Sequence, residues 1–538
     1  MSGALPVAIL LPLAMLVACV RPDLRQRMQG LLWLAPLPAL AAAFLAVDAP
    51  PIVLDPDGLQ FTLALDRPGA LLLGVAALLW SAAGAYARTY LARDPRRGRF
   101  AVWWLLTLSG SLAVFFVRDL ASFYLAFAVV SLAAYGLVVQ DATAAARRAG
   151  AIYLFLAVLG EVALLAGFAL LATGSPGDSL AIATTVADLA ASPWRDLTVA
   201  LLVAGFGLKA GLVPLHVWLP IAHPAAPMPA SAVLSGAIIK AGIIGLIRFL
   251  PFDGALPHWS GILASIGLVT AFYAVAVGIT QRNPKTVLVY SSVSQMGVVA
   301  TVLGMGLLAG PATLMPAAFY AAHHVLAKGA LFLAVGVAAA TGADRRWLVL
   351  VPAVVLALGF GGLPPTGGAL AKLVVKPALG DGTVATLATL TGAGSTLLML
   401  HFCRRLAAAG SPSAEARAAS GLTVPWLLMA AAAIGVPWAV FLMAGLGTVG
   451  EVLDPKSLWS ATWPVLLGLA LTGALHRWQD RLPRLPEGDV VVLGERALRG
   501  AGRAGAAIEG LERKLRAWPV AGATLLLLVV TLGLALIL

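Results

Sequence analysis

Apolar runs of about 20 residues follow one another along almost the whole chain, and that recurrence fixes the fold class before any motif is read. Lipid offers an exposed backbone no hydrogen-bond partners, so a crossing segment must satisfy its amides and carbonyls internally, as a helix or in a closed barrel. The alternating pattern of a barrel strand is absent. Only 11% of the 538 residues are charged, against roughly a quarter in soluble globular proteins. The expected fold is an all-α polytopic membrane protein.

Apolar runs and their breakers predict sixteen spans: 4–20, 31–48, 69–91, 100–117, 120–140, 151–172, 197–219, 230–250, 257–280, 286–308, 312–341, 346–378, 383–407, 423–447, 459–476 and 519–538. Loop charges test this prediction. With the N-terminus outside, five of the 36 Lys and Arg fall on the exterior (Arg67, Arg118, Arg195, Arg248 and Lys456), five lie inside spans, and the rest collect in cytoplasmic loops or at their rims. The exterior loops are acidic, carrying Asp48, Asp55, Asp57, Asp178, Asp188, Asp253 and Asp454. The net charge of +12 therefore reads as topology and not as a nucleic-acid surface. Leu16–Cys19 has the form of a lipoprotein cleavage box, but no Lys or Arg precedes it while Arg21, Arg25 and Arg27 follow. That order predicts a retained first span. The expected location is the cytoplasmic (inner) membrane of a bacterium.

Two stretches read differently. Ile52–Asp66 alternates apolar and polar residues around Pro56–Gly58, which predicts a small exterior β-hairpin. Arg484–Arg516 is basic and Ala/Gly/Leu-rich, and reads equally as an amphipathic surface helix or as a linker to the final span. The two cysteines, Cys19 and Cys403, give no disulfide framework, metal site or iron–sulfur spacing, and no phosphate loop or dinucleotide fingerprint occurs. No cofactor or catalytic centre is expected on this chain, so any redox group must sit on another subunit.

A charged side chain at mid-membrane costs about 2.5–3.5 kcal/mol on insertion scales. Lys209, Lys240, Lys328, Lys372, Lys376 and Glu161 all fall within spans. Structural accident explains one such residue comfortably, but not six. Pro214 follows Lys209 by about one turn, and Gly361–Pro365 with Pro364 and Pro365 interrupts the span that carries Lys372. Two broken helices, each with a lysine and starting from opposite sides, are the pattern of inverted repeats. His324 and Lys328 are four apart on one helix face, an arrangement suited to proton relay. His216 and His323 read equally as relay groups or as interhelical hydrogen bonds. Lys376 sits near the exterior end of its span, where it snorkels. Glu161 is the one mid-membrane carboxylate, and pairing with Lys209 would offset both burial costs. This row of groups predicts ion transport, with protons as the expected cargo and Na⁺ or K⁺ as the alternative.

At Lys209–Pro224 (KAGLVPLHVWLPIAHP), continuing to Lys240 and Arg248, the sequence resembles the antiporter-like subunits of respiratory complex I, a family that includes Mrp cation/proton antiporter subunits and the membrane arm of energy-converting hydrogenases. Further matches are Lys285 with Tyr290–Gly297 (YSSVSQMG), His324–Leu333 (HVLAKGALFL), and Gly362–Gly368 (GLPPTGG) with Lys372. The likeness covers roughly residues 100–405. It implies two inverted five-helix repeats, 100–250 and 257–407, preceded by spans within 1–99 and followed by 408–538. It also implies that Lys209 is the lysine of the first half-channel, Lys240 the connecting lysine, His324 and Lys328 the central relay, and Lys372 the lysine of the second half-channel. One departure stands out: Ala128 occupies the place of the family's glutamate, and Glu161 on the next span is the expected substitute. The functions implied are a proton-translocating subunit of a redox complex, working beside other membrane subunits, or an Mrp-type antiporter subunit without redox coupling. A subunit coupling proton flow to another transport process is a third reading.

Overall fold

The computed structural model describes residues 3–477 apart from 55–60 and 176–178, together with 485–486 and 491–492. The final apolar run and nearly all of the basic segment 484–516 lie outside the described residues. Contacts divide the chain into two units, Met1–Glu487 and Gly488–Leu538, and the helix bundle belongs to the first.

Helices α1 (Ala4–Ala18), α2 (Pro22–Leu31) and α3 (Leu37–Leu45) lead into an antiparallel pair, β1 (Ile52–Leu54) and β2 (Phe61–Leu63), with Ile52 opposite Leu63 and Leu54 opposite Phe61. These are the strands that the alternation predicts; most of their turn is outside the described residues. Next come α4 (Arg67–Tyr90), α5 (Arg97–Ala113), α6 (Leu120–Val138) and α7 (Ala144–Gly174). Side chains start three of them: Asp66 accepts from the Gly69 amide, Asp119 from Ser122, and Thr143 from Ala146. After α8 (Ile182–Asp188) the chain forms α9 (Arg195–Ala210), α10 (Trp218–Ala225), α11 (Met228–Val233) and α12 (Lys240–Phe249). Then follow α13 (Pro257–Gly278), α14 (Pro284–Ala309), α15 (Leu314–Ala339), α16 (Trp347–Gly361), α17 (Gly367–Leu379), α18 (Thr383–Ala408), α19 (Ser420–Met443), α20 (Val449–Leu453) and α21 (Pro455–His476).

Among the described residues, eleven helices are long and apolar enough to cross a membrane, with α9–α10 and α11–α12 each counted as one. The chain is thus a multi-pass helical membrane protein. Four further runs expected to span are shorter helices: α1, α3, α5 and the broken pair α16–α17. Turns at Leu32–Pro36 delay α3. Helix α5 stops at Ala113 because the Arg248 guanidinium, reaching from α12, takes the carbonyls of Val114 (2.7 Å), Phe115 and Val117 (3.0 Å).

The most apolar windows of α11–α12 and α15 are wholly surrounded by protein, whereas that of α21 is only 17% buried. The helices carrying Lys240, His324 and Lys328 thus form the centre of the bundle, away from lipid. Small residues let central helices touch. A Cβ on Gly297 of α14 would lie 2.5 Å from the Gly267 carbonyl of α13, and one on Gly304 would lie 2.5 Å from the Ala264 amide. Backbone on both sides cannot yield, so Gly297→Val is expected to cost about 1–3 kcal/mol. The expected readout is a lower melting temperature of the detergent-extracted protein; an unchanged one contradicts the packing described.

Candidate functional site

The site is built on two helix breaks. Helix α9 ends at Ala210, Gly211 adopts φ +85°, and the chain runs through a 3₁₀ turn at Leu215–Val217 before α10 begins. Helix α16 ends at Gly361, Gly362 adopts φ +112°, and α17 begins at Gly367. Both glycines sit in the left-handed region that closes helix C-termini. Pro214 lies in the first break and Pro364 and Pro365 in the second; the Val213–Pro214 and Pro364–Pro365 peptide bonds are cis. Freed backbone groups find side-chain partners, as they must inside a membrane protein. Trp218 Nε1 donates to the Leu208 carbonyl (2.9 Å), Trp438 Nε1 to the Pro365 carbonyl (2.8 Å), and the Val213 amide to Thr270 Oγ1 (3.1 Å).

Lys209 occupies the last turn of α9 and is buried. Its Nζ donates to the Tyr153 hydroxyl at 3.2 Å and lies 5.6–5.9 Å from the ring centres of Tyr153, Phe127 and Trp218. An aromatic cage of this kind stabilises an ammonium through its ring faces. Tyr153 in turn donates to the Ser131 carbonyl at 2.5 Å. Glu161, buried on α7, is within electrostatic reach of Lys209 and lies beside Ser131, but neither of its oxygens hydrogen-bonds to Lys209. The direct pairing expected from burial cost is replaced by one through space, because the cage and Tyr153 already hold the ammonium.

At the centre, Lys240 Nζ meets His324 Nδ1 at 2.8 Å, joining α12 to α15. Just before Lys240 the helix widens into a π-turn at Leu234–Ile238, closed by the Ile239 amide on the Leu234 carbonyl. Lys328 does not bond His324, although the two share a face. Its Nζ donates to the Leu288 carbonyl of α14 (3.0 Å) and sits 4.6 Å above the Phe360 ring. His323 and His324 also pack against Phe360, with ring centres 5.4 and 6.0 Å away. His216 packs between Tyr273 and Tyr290.

Lys372, on α17, faces a cavity of about 380 Å³ that it shares with Tyr320, Lys376, Asp381, Thr391, Ser457 and Ser460 among others. Asp381 and Ser457 belong to the loops read as exterior, and Lys376 stands on the way out. At the inner end the Tyr320 hydroxyl donates to Gln295 Oε1 (2.7 Å), and Gln295 Nε2 donates to Ser395 (2.9 Å). His323 lies within electrostatic range of both Lys372 and Lys328.

The structure therefore gathers Lys240, His324 and Lys328 at one centre, with Lys209 and Glu161 in one flanking cluster and Lys372 in another. Sequence reasoning missed Tyr153, Trp218 and Phe360, which hold the lysines, and gave no task to Tyr320 or Gln295. The polar run YSSVSQMG inside an apolar helix was the available signal for Gln295, and it also supplies Ser292, which shares a 2.7 Å hydrogen bond with Ser235.

Comparison with known proteins agrees with this architecture. Hydrogenase-4 component B of Escherichia coli is 33% identical over 292 residues, covering 52% of this chain and 43% of that protein. Na(+)/H(+) antiporter subunit A1 of Staphylococcus aureus is 29% identical over 345 residues, covering 59% of this chain and 42% of that protein. The chain thus spans less than half the length of either. In fold, it superposes on a chain of the Mrp complex from Dietzia sp. DQ12-45-1b with a TM-score of 0.77 at 21% identity, over 99% of this chain and 62% of that one. A chain of the membrane-bound sulfane sulfur reductase, an archaeal respiratory membrane complex, matches with a TM-score of 0.70 at 21% identity, over 88% of this chain and 99% of that one. Residues 117–398, more than half of the sequence, match the profile of one family, and the chain belongs to it: the transmembrane family of NADH:quinone oxidoreductase and Mrp antiporter subunits.

Proposed function

We propose that this chain is the proton-carrying antiporter-like subunit of a membrane-bound redox complex in a bacterial cytoplasmic membrane. Protons move along Glu161, Lys209, Lys240, His324, Lys328 and Lys372, and leave toward the exterior through the cavity at Lys372. The observation that carries this reading is the 2.8 Å Lys240–His324 contact on helices wholly surrounded by protein. Three buried lysines, a half-buried fourth at the cavity and two buried histidines have no structural rationale unless they exchange protons or bind ions. Lys209, Lys240 and Lys328 are held by a hydroxyl, a carbonyl, aromatic faces or the neighbouring base rather than by a contact ion pair, and such partners leave both protonation states accessible.

The chain is organised as two inverted repeats, 100–250 and 257–407, flanked by 1–99 and 408–538, and it crosses sixteen times. Support comes from the matching devices at Gly211 and Gly362, with Lys209 just before the first break and Lys372 on the helix that follows the second. Its partners are other membrane subunits, one of which holds the redox group. The relative named as hydrogenase-4 component B favours redox coupling. The relative named as a Na(+)/H(+) antiporter subunit supports a second reading, exchange of Na⁺ or K⁺ for protons without electron transfer.

Inverted vesicles carrying the whole native complex decide the matter, with acidification followed by a pH-sensitive dye. Acidification on adding reductant (H₂ or NADH), abolished by Lys328→Met, is the expected result. A response to NaCl or KCl but not to reductant favours the exchange reading. Wild-type flux in Lys328→Met removes both.

A further inference from the structure

The exterior cavity gives the row a way out but not a way in, and a second cluster lies on the opposite face. Lys285 stands in the first turn of α14, where a lysine would ordinarily extend into water. Instead it is buried, and its Nζ donates to the carbonyls of His223 (3.3 Å) and Ala226 (2.6 Å) at the end of α10. Three residues further along α14, the Leu288 carbonyl receives Lys328 Nζ. The Lys285 side chain thus leaves α14 about one turn before the carbonyl that holds Lys328.

The His223 side chain lies within electrostatic range of both lysines. It is fully buried and stacks on Phe332, 5.1 Å between ring centres and one turn beyond Lys328 on α15. Among the described residues neither ring nitrogen has a hydrogen-bond partner. An imidazole held by its ring face, with both nitrogens uncommitted between two lysines, is placed to take a proton at one nitrogen and release it at the other. The charged group that Lys285 feels is Asp141, an exposed residue just before α7, whose first turns carry Arg147 and Arg148. By its charge this is the cytoplasmic face.

We propose that Lys285 and His223 form a cytoplasmic intake that delivers protons directly to Lys328, at the centre of the row rather than at its Lys209 end. The Lys285 ammonium gives one proton to a His223 nitrogen and becomes the amine. The opposite nitrogen passes a proton to neutral Lys328, and Lys285 regains its proton from water beside Asp141. The net result is one proton moved inward, with Lys285 restored and His223 left in its opposite tautomer, which a turn of the ring resets before the next transfer.

This inference rests on the proton-carrying reading, and the test separates the two. In vesicles carrying the whole complex, His223→Ala is expected to lower proton flux about tenfold or more. Imidazole-4-acetate, whose charge keeps it on the side of addition, is expected to restore much of that flux from the cytoplasmic face and none of it from the exterior. His223→Phe, which keeps the stack on Phe332, covers the case in which the alanine variant fails to assemble, and its expected loss is of the same size. Wild-type flux in either variant, or a loss in the alanine variant that imidazole-4-acetate does not relieve from the cytoplasmic face, overturns the intake. If Lys328→Met also transports normally, the proton-carrying reading fails with it; if Lys328→Met is dead, only the intake is lost.

Discussion

Complexes carrying Lys240→Met are expected to assemble normally and to move protons about 100-fold or more slowly than wild type, the scale at which a positioned proton donor or acceptor contributes. Lys240 joins the first half of the chain to the second through a hydrogen bond between titratable side chains, 2.8 Å to His324 across 84 residues of sequence. Methionine fills most of the lysine's volume in a site with 0% exposure, so packing changes little while the proton site disappears. His324→Gln serves as the companion variant, because it keeps a hydrogen-bonding side chain yet titrates nowhere near neutrality. Flux of the intact complex in vesicles, beside its yield and subunit content after purification, checks both. Wild-type flux in Lys240→Met would mean that the two halves work without this joint.

Glu161→Gln is the second large effect. The carboxylate is buried, makes no direct hydrogen bond to Lys209, and acts on that lysine through space. Removing its charge changes the proton affinity of a caged ammonium without touching the cage. A lost interaction of about 1.4 kcal/mol already corresponds to tenfold in rate, and charges in a dry protein interior interact by more than that. Flux is therefore expected to fall at least tenfold, with Tyr153 and Trp218 still in place. Adding Ala128→Glu to Glu161→Gln should recover part of the flux, since position 128 adjoins Phe127 on the cage wall and restores a carboxylate on α6. Wild-type flux in the single variant rejects the substitution of one acid for the other. A dead double variant with a live Ala128→Glu single variant shows that the two positions are not equivalent.

Much of this protein is legible in its sequence because membrane insertion makes charge conspicuous. Lys209, Lys240, Lys328, Lys372 and Glu161 stand out as unfavourable residues in apolar runs, and Pro214 and Pro364–Pro365 mark the breaks beside two of them. What periodicity cannot report is which element each charge meets. His324 and Lys328 share a face, yet the histidine bonds Lys240 on α12 and Lys328 turns to α14. The π-turn at Leu234–Ile238 adds to the difficulty, since an extra residue per turn shifts the register of everything after it. The early end of α5 is hidden for a related reason. Hydropathy counts apolar residues, whereas α5 ends where Arg248, more than a hundred positions away, captures the carbonyls just past it. His223 and Lys285 sat in recognisable motifs without an assigned task, because the contact between the end of α10 and the start of α14 has no local signature.

Transport along this row requires protons to pass between side chains that no direct hydrogen bond joins, above all from His323 to Lys372 and from Lys209 to Lys240. A high-resolution electron cryo-microscopy map of the complex in lipid measures this most directly. Ordered water linking Lys209, Lys240, Lys328 and Lys372, continuous with the cavity at Asp381, is the predicted result. Dry, close-packed side chains filling the gap on either side of the Lys240–His324 pair would contradict it.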